Sequence, residues 1–127
     1  MTLQSNPELK SLNLNLLEEQ AKQTRRLIIE VAHRSQSAHV GSSLSCVDIL
    51  IALYFHQMHI VESDWQNRDI FITSKAHAAM ALYATLTLKG VISPEQFFSY
   101  NQNDGALPSH LDRFTSKGIE TSTGALG

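Results

Sequence analysis

Apolar residues at Leu14, Leu17, Ala21, Ile28 and Val31, widened by Leu27, recur at helical spacing, and Glu18, Glu19, Lys22, Arg25 and Arg26 fill the other face. The pattern predicts one amphipathic helix from Leu14 to about Ser35. Residues 1–13 are polar, carry Pro7, and read as a flexible lead-in. Ser35 to Ser45 is a loop of small polar residues around Gly41. Ser45 followed by Asp48 is a capping-box variant, which predicts a second helix to about Met58. Val47, Ile49, Leu50, Ile51, Leu53, Tyr54 and Phe55 cover nearly every face of it, as expected of a helix buried between other elements.

A short loop with Trp65 leads to Asp69–Thr73, a brief β-branched and aromatic run that reads as a strand buried on both faces. Ser74 to His77 then opens an apolar helix through Leu88, ended by Gly90. Ser93-Pro94-Glu95-Gln96 is a further helix start, with proline at the first helical position and glutamine completing the box. From Asn101 to Gly127 the chain is loop-like. A structureless stretch of that length is uncommon inside a compact domain, and is usually functional or a sign of missing structure. The expected class is α/β, mostly helical, with one visible strand. One strand makes no sheet, so the sheet is incomplete and its neighbours come from elsewhere.

Composition narrows the class of function. The chain has 127 residues, 43% hydrophobic and 17% charged, enough for one domain with a real core. A net charge of -2 with scattered basic residues argues against nucleic acid. The apolar stretch Val47–Phe55, interrupted by Asp48, is short for a membrane span, and the N-terminus lacks a signal-peptide pattern. The lone Cys46 cannot form an internal disulfide and reads as a small buried hydrophobe, so a cytoplasmic setting is expected.

The candidate chemistry rests on histidine. A strand end running into a helix, as at Ser74-Lys75-Ala76-His77, is where anionic ligands of α/β proteins collect, and His77 could donate to a phosphate there. His39 and His110 sit in loops of small residues that let a ligand approach, and imidazole shuttles protons near neutral pH. Taken singly, each also reads as an ordinary helix-start or solvated loop residue. The three become informative only if their loops converge. His56 and His59, at helical i, i+3 spacing, with His33 as a further imidazole, raise a metal-binding reading, but no carboxylate or cysteine cluster accompanies them.

Four blocks occur in order: Ser37-Ala38-His39-Val40-Gly41, Ser74-Lys75-Ala76-His77-Ala78, Leu107-Pro108-Ser109-His110, and Ser122-Thr123-Gly124-Ala125-Leu126-Gly127. Together they resemble the transketolase family, over roughly Leu16 to Gly127. The resemblance implies that residues 14–127 are part of a thiamine-diphosphate-binding domain. It implies that His77 binds the diphosphate and that Gly124, Ala125 and Leu126 line the cofactor through the backbone. His39 would contact the sugar near the reactive carbon, and His110 would face the two-carbon unit and help proton transfer. The family moves a two-carbon ketol unit between sugar phosphates.

The family glycine before each histidine is here Ala38, Ala76 and Ser109, and the proline after the third is Leu111. A Cβ at a position needing positive φ costs about 1–2 kcal/mol, whereas alanine in a helix gains about 1 kcal/mol over glycine. The family's Mg²⁺-binding Gly-Asp-Gly motif and its pyrimidine-binding domain have no counterpart in these residues, so no metal ligand is assigned. The resemblance therefore implies a second polypeptide and an oligomeric assembly that together bind thiamine diphosphate, Mg²⁺ and a sugar phosphate. The alternative is a non-catalytic remnant or pseudoenzyme fragment that only binds a partner.

Overall fold

The computed structural model describes residues 12–124. Helix α1 runs Leu14–Ser35, as its periodicity predicts, and buries Ala21, Thr24, Ile28, Val31 and Ala32. Asn13 caps it, its side chain accepting from the Leu16 N–H at 3.1 Å. Gln36, in the left-handed region (φ 53°), ends it.

The expected loop before Ser45 contains a short helix, α2, Val40–Leu44. Helix α3, Val47–Ala52, continues through a π-helical turn, Leu53–Gln57. The capping box at Ser45 and Asp48 does not form. Cys46 occupies the N-cap position with no side-chain capping bond, Ser45 Oγ donates to the Ser42 carbonyl, and Asp48 pairs with Arg25 at 2.7 Å. Nor is α3 covered on every face. Val47, Leu50, Ile51 and Tyr54 are buried, but Ile49 is 61% exposed. Val40–Gln57 is long and apolar enough to cross a membrane by length and composition alone. It is 28% buried and broken at Cys46, and its α3 part packs on α1 and α4.

The centre of the molecule is α4, Ala79–Lys89, entered through a 3₁₀ turn at Ala76–Ala78. Every side chain from Ala79 to Leu86 is buried. No polar stripe interrupts that run, so the helix packs against α1, α2, α3 and α5 (Pro94–Phe98). Gly90, at φ 87°, closes it. The capping box of α5 forms as expected, with Ser93 Oγ accepting from the Gln96 N–H. Leu107, Leu111 and Ile119 anchor the irregular segment 101–124 to this core. Truncating a fully buried residue such as Leu50 to alanine would cost about 2–5 kcal/mol.

One expectation is overturned. Among the described residues there is no strand: 68–73 carries no regular structure. A strand is defined by a ladder to a neighbour, and no backbone hydrogen bond joins Ile70 to Thr73 to another described residue. Nor is the segment buried on both sides. Ile70 is 63% and Ile72 55% exposed, whereas Thr73 faces inward at 8%. The period of two that marks a half-buried strand is there; the partner is not.

Candidate functional site

The three loop histidines converge. His39 and His77 have ring centroids 4.7 Å apart, His77 and His110 5.1 Å, and His39 and His110 6.4 Å, all edge to face. His77 is half-buried at the base, and His39 and His110 are exposed at the rim. A ligand reaching the cluster thus meets three imidazoles at once, each able to donate or accept a proton.

Each histidine is held by its own local geometry. His39 is the N-cap of α2 and lies in the left-handed region, at φ 67° and ψ 22°. That conformation is uncommon outside glycine, though histidine tolerates it better than bulky residues do. His77 lies in the 3₁₀ turn that precedes α4. The start of α4 has no side-chain cap; its Ala78 and Ala79 N–H groups bond to the Lys75 and Ala76 carbonyls, and its positive dipole end lies beside His77. His110 follows Ser109, whose Oγ lies 3.3 Å from His110 Nδ1.

Residues with no signal in the sequence pattern tie these segments together. Lys75 donates to the Ser42 carbonyl at 2.8 Å and to Ser45 Oγ at 3.0 Å, binding the His77 segment to the end of α2. Asn101 Nδ2 donates to Ser37 Oγ at 3.0 Å, linking the His39 loop to the segment that leads to His110. Tyr83 on α4 donates to the Pro108 carbonyl at 3.0 Å. The end of the described chain returns to the same place: the Thr123 N–H donates to the Leu111 carbonyl and the Arg113 N–H to Ser122 Oγ. Gly124 follows directly, with nothing within 4 Å of a Cβ built on it. Ala125 and Leu126 lie outside the described residues. Two buried hydroxyls on these segments, Ser43 Oγ and Thr123 Oγ1, have no hydrogen-bond partner.

The replaced glycines carry no backbone strain. Among the described residues, the non-glycine residues at positive φ are Gln36, His39, Asn101 and Asp104, so Ala38, Ala76 and Ser109 are not among them. Ala76 is fully buried in its turn, and Leu111 is 3% exposed in the core. Among the described residues, no three His, Cys, Asp or Glu side chains are grouped to hold a metal. His56 lies in the π turn, and the chain leaves the helix at Met58 (ψ 140°) before His59. His59 instead lies 3.6 Å from Asp64.

A family model described as the transketolase thiamine-diphosphate-binding domain matches residues 17–127. The chain belongs to the transketolase family. It is 41% identical over 113 residues to the 6-deoxy-6-sulfo-D-fructose transketolase subunit SqwG of Clostridium sp. (strain MSTE9), covering 87% of this chain and 41% of that one. It is 36% identical over 118 residues to an apulose-4-phosphate transketolase subunit of Phocaeicola vulgatus, covering 91% of this chain and 42% of that one. The transketolase of Leishmania mexicana superposes with a TM-score of 0.80 at 27% identity, over 87% of this chain and 17% of that one. The fold is thus that of the N-terminal transketolase domain. The chain spans about two fifths of the length of these subunit relatives.

Proposed function

We propose that this chain is the N-terminal segment of a transketolase-type enzyme that moves a two-carbon ketol unit between sugar phosphates, working with a second polypeptide that supplies the Mg²⁺ motif and the pyrimidine domain. The convergence of His39, His77 and His110 carries the reading, because residues from three separate loops share one solvent-open space. Its setting is the cytoplasm, where the unpaired Cys46 stays reduced.

Thiamine diphosphate fits the residues present. His77 offers a donor to a diphosphate, the positive dipole end of α4 suits an anion there, and Lys75 adds positive charge nearby. Gly124, with open space where a side chain would stand, lets the backbone approach a ring, a role the family resemblance extends to Ala125 and Leu126. When bound, the cofactor supplies the nucleophilic carbon and the electron sink. The protein's part is to orient and to move protons. His77 holds the diphosphate. His39, at the exposed rim, orients the sugar by its hydroxyls. His110 takes and returns the proton at the hydroxyls of the two-carbon unit, with Ser109 Oγ steadying its ring. Mg²⁺, where present, would be held by ligands of the completing polypeptide and would neutralise the diphosphate.

The test is co-expression with a polypeptide carrying the metal motif and the pyrimidine domain, followed by assay of ketol transfer with and without thiamine diphosphate and Mg²⁺. Cofactor-dependent transfer by the assembly, and no micromolar cofactor binding by the chain alone, is the expected result. An assembly that forms but neither binds cofactor nor transfers a ketol unit would leave a partner-binding fragment.

A further inference from the structure

Asn101 stands between two of the histidine loops and holds both. Its backbone N–H donates to the Leu107 carbonyl at 2.8 Å, which fastens it to the segment that runs on to His110. Its side-chain Nδ2 donates to Ser37 Oγ at 3.0 Å, two residues before His39. Ser37 is a junction. Its Oγ also lies 2.7 Å from Ser35 Oγ at the end of α1, and its hydroxyl bonds to the buried Tyr100 phenol. A serine hydroxyl has one proton and two lone pairs, so all three partners can be met at once. Asn101 itself lies in the left-handed region, at φ 50°. Asparagine tolerates that conformation better than most side chains do, and unlike glycine it carries a donor. Both properties of the residue are in use.

The link is selective. It joins the His39 loop to the His110 segment, whose rings are the widest-spaced pair of the cluster at 6.4 Å. His77 is held to α2 by a different tether, from Lys75 to Ser42 and Ser45. The Asn101–Ser37 bond is also exposed, and water replaces an exposed hydrogen bond at little cost to the fold. What the bond restricts is the way an exposed loop presents His39. A displacement of about 1 Å at a reacting pair can cost about a hundredfold in rate. We propose that Asn101 is a positioning residue for the sugar end of the site: acting through Ser37, it holds His39 at its working distance from His110 and leaves His77 to the diphosphate. The proposal rests on the reading that His39 and His110 meet the sugar and His77 the cofactor.

The test takes Asn101→Gly, Asn101→Asp and Ser37→Ala into the reconstituted assembly. Glycine keeps the left-handed backbone and removes the donor. Aspartate keeps the backbone and accepts from the Ser37 hydroxyl, which restores the link with its direction reversed. Asn101→Gly and Ser37→Ala should each raise the KM of the sugar phosphate and lower its kcat/KM about tenfold. The apparent thiamine diphosphate constant should stay within about twofold of wild type. The double variant should be no worse than Ser37→Ala alone, because both changes remove the same bond. Asn101→Asp should recover most of the loss, and the melting temperature of Asn101→Gly should stay close to wild type. In the free chain, the imidazole NMR resonances of His39 and His110 should move in Asn101→Gly and return in Asn101→Asp. A cofactor constant that rises as much as the sugar KM means a general loosening and overturns the proposal. So does an unchanged sugar KM in both single variants, a double variant whose losses multiply, or a loss that aspartate does not reduce. A wild-type assembly without ketol transfer sinks the proposed function, and the free chain still decides the tether: His39 and His110 resonances that stay in place in Asn101→Gly overturn it, and their joint shift upholds it.

Discussion

The Tyr83 hydroxyl, inside the core on α4, donates to the Pro108 carbonyl at 3.0 Å. Pro108 precedes the Ser109-His110 pair, and α4 begins just after His77. One buried helix therefore fixes two of the three converging histidines: His77 through its N-terminal turn and His110 through a side chain one turn in. Lys75 and Asn101 bring the third, His39, to the same space through Ser42, Ser45 and Ser37. The spacing of the cluster is inherited from the most deeply buried element of the fold.

All three tyrosines of the chain are buried, and burial pushes each phenol above its ordinary value of 10.0, most strongly at Tyr54 and Tyr83. Nearby Glu120 adds to the rise at Tyr54, and Tyr100 to the rise at Tyr83. A phenol whose folded value lies above its unfolded one stabilises the fold fully below pH 10, and that stabilisation is lost as pH climbs past 10 toward the folded value. The ultraviolet tyrosinate band should therefore appear together with loss of helical circular dichroism, not before it. A tyrosine ionising freely near pH 10 with helicity intact would contradict the burial. Tyr83→Phe removes the bond to Pro108 and should cost about 0.5–1.5 kcal/mol.

Gly105 lies in the turn that leads to Leu107 and His110. A Cβ there would stand 2.0 Å from the Ser99 carbonyl oxygen, and backbone cannot swing aside as a side-chain tip can. Gly105→Ala should lower stability by about 1–3 kcal/mol and shift the ring resonances of His110 in an NMR spectrum. Gly124→Ala meets nothing within 4 Å and should leave the melting temperature unchanged. Equal effects from the two substitutions would show that the turn is looser than its geometry implies.

Much of this was readable from the sequence, for reasons that differ by element. The period of α1 and the caps of α5 are local signals, and both elements form where they predict. The Ser45 and Asp48 box failed because two other partners won: Arg25 takes the Asp48 carboxylate and the Ser42 carbonyl takes the Ser45 hydroxyl. The strand at Asp69–Thr73 keeps its alternation but lacks a neighbour, and pairing is not written in the strand's own residues. At the site, the ordered histidine blocks pointed to His39, His77 and His110. Lys75, Tyr83 and Asn101 were not foreseen as its supports, because their partners are distant carbonyls and hydroxyls that leave no pattern along the chain.

Arg68 and Glu120 form a two-pronged ion pair at 3.0 and 2.6 Å, each side chain only 16% exposed. The Arg68 guanidinium also lies 4.4 Å over the Trp65 ring, where the Lys117 ammonium lies at 4.1 Å. The pair joins the 3₁₀ turn Glu62–Asn67 to the final segment that leads to Gly124. Glu120→Gln halves the charge complement in a partly dry setting and should cost about 1.5–3 kcal/mol. The outlying pair Arg25–Asp48, with Asp48 76% exposed, should matter far less. Thermal melts of Glu120→Gln and Asp48→Asn, compared at low and high salt, check the ranking. A larger loss from Asp48→Asn would reverse it.

The histidines separate an enzyme part from a fragment that only binds. In the completed assembly, His77 is expected on the diphosphate in the ground and transition states alike. Losing such uniform binding raises the apparent cofactor constant and leaves turnover nearly intact at saturation. His110 is expected at the reacting two-carbon unit, whose charge changes during reaction. Removing a positioned acid–base group lowers turnover by about 10²–10⁴-fold. His39, which meets the sugar at the rim, should affect substrate affinity and turnover together. An alanine series at His39, His77 and His110 in the reconstituted assembly reads these three signatures. His56→Ala is the control, because His56 lies in the π-helical turn and makes no ring contact with the three. The rings are 4.7 to 6.4 Å apart, so paired substitutions should be non-additive. Four silent substitutions, or an effect at His56 equal to that at His110, would mean that the convergence is inherited architecture without chemistry.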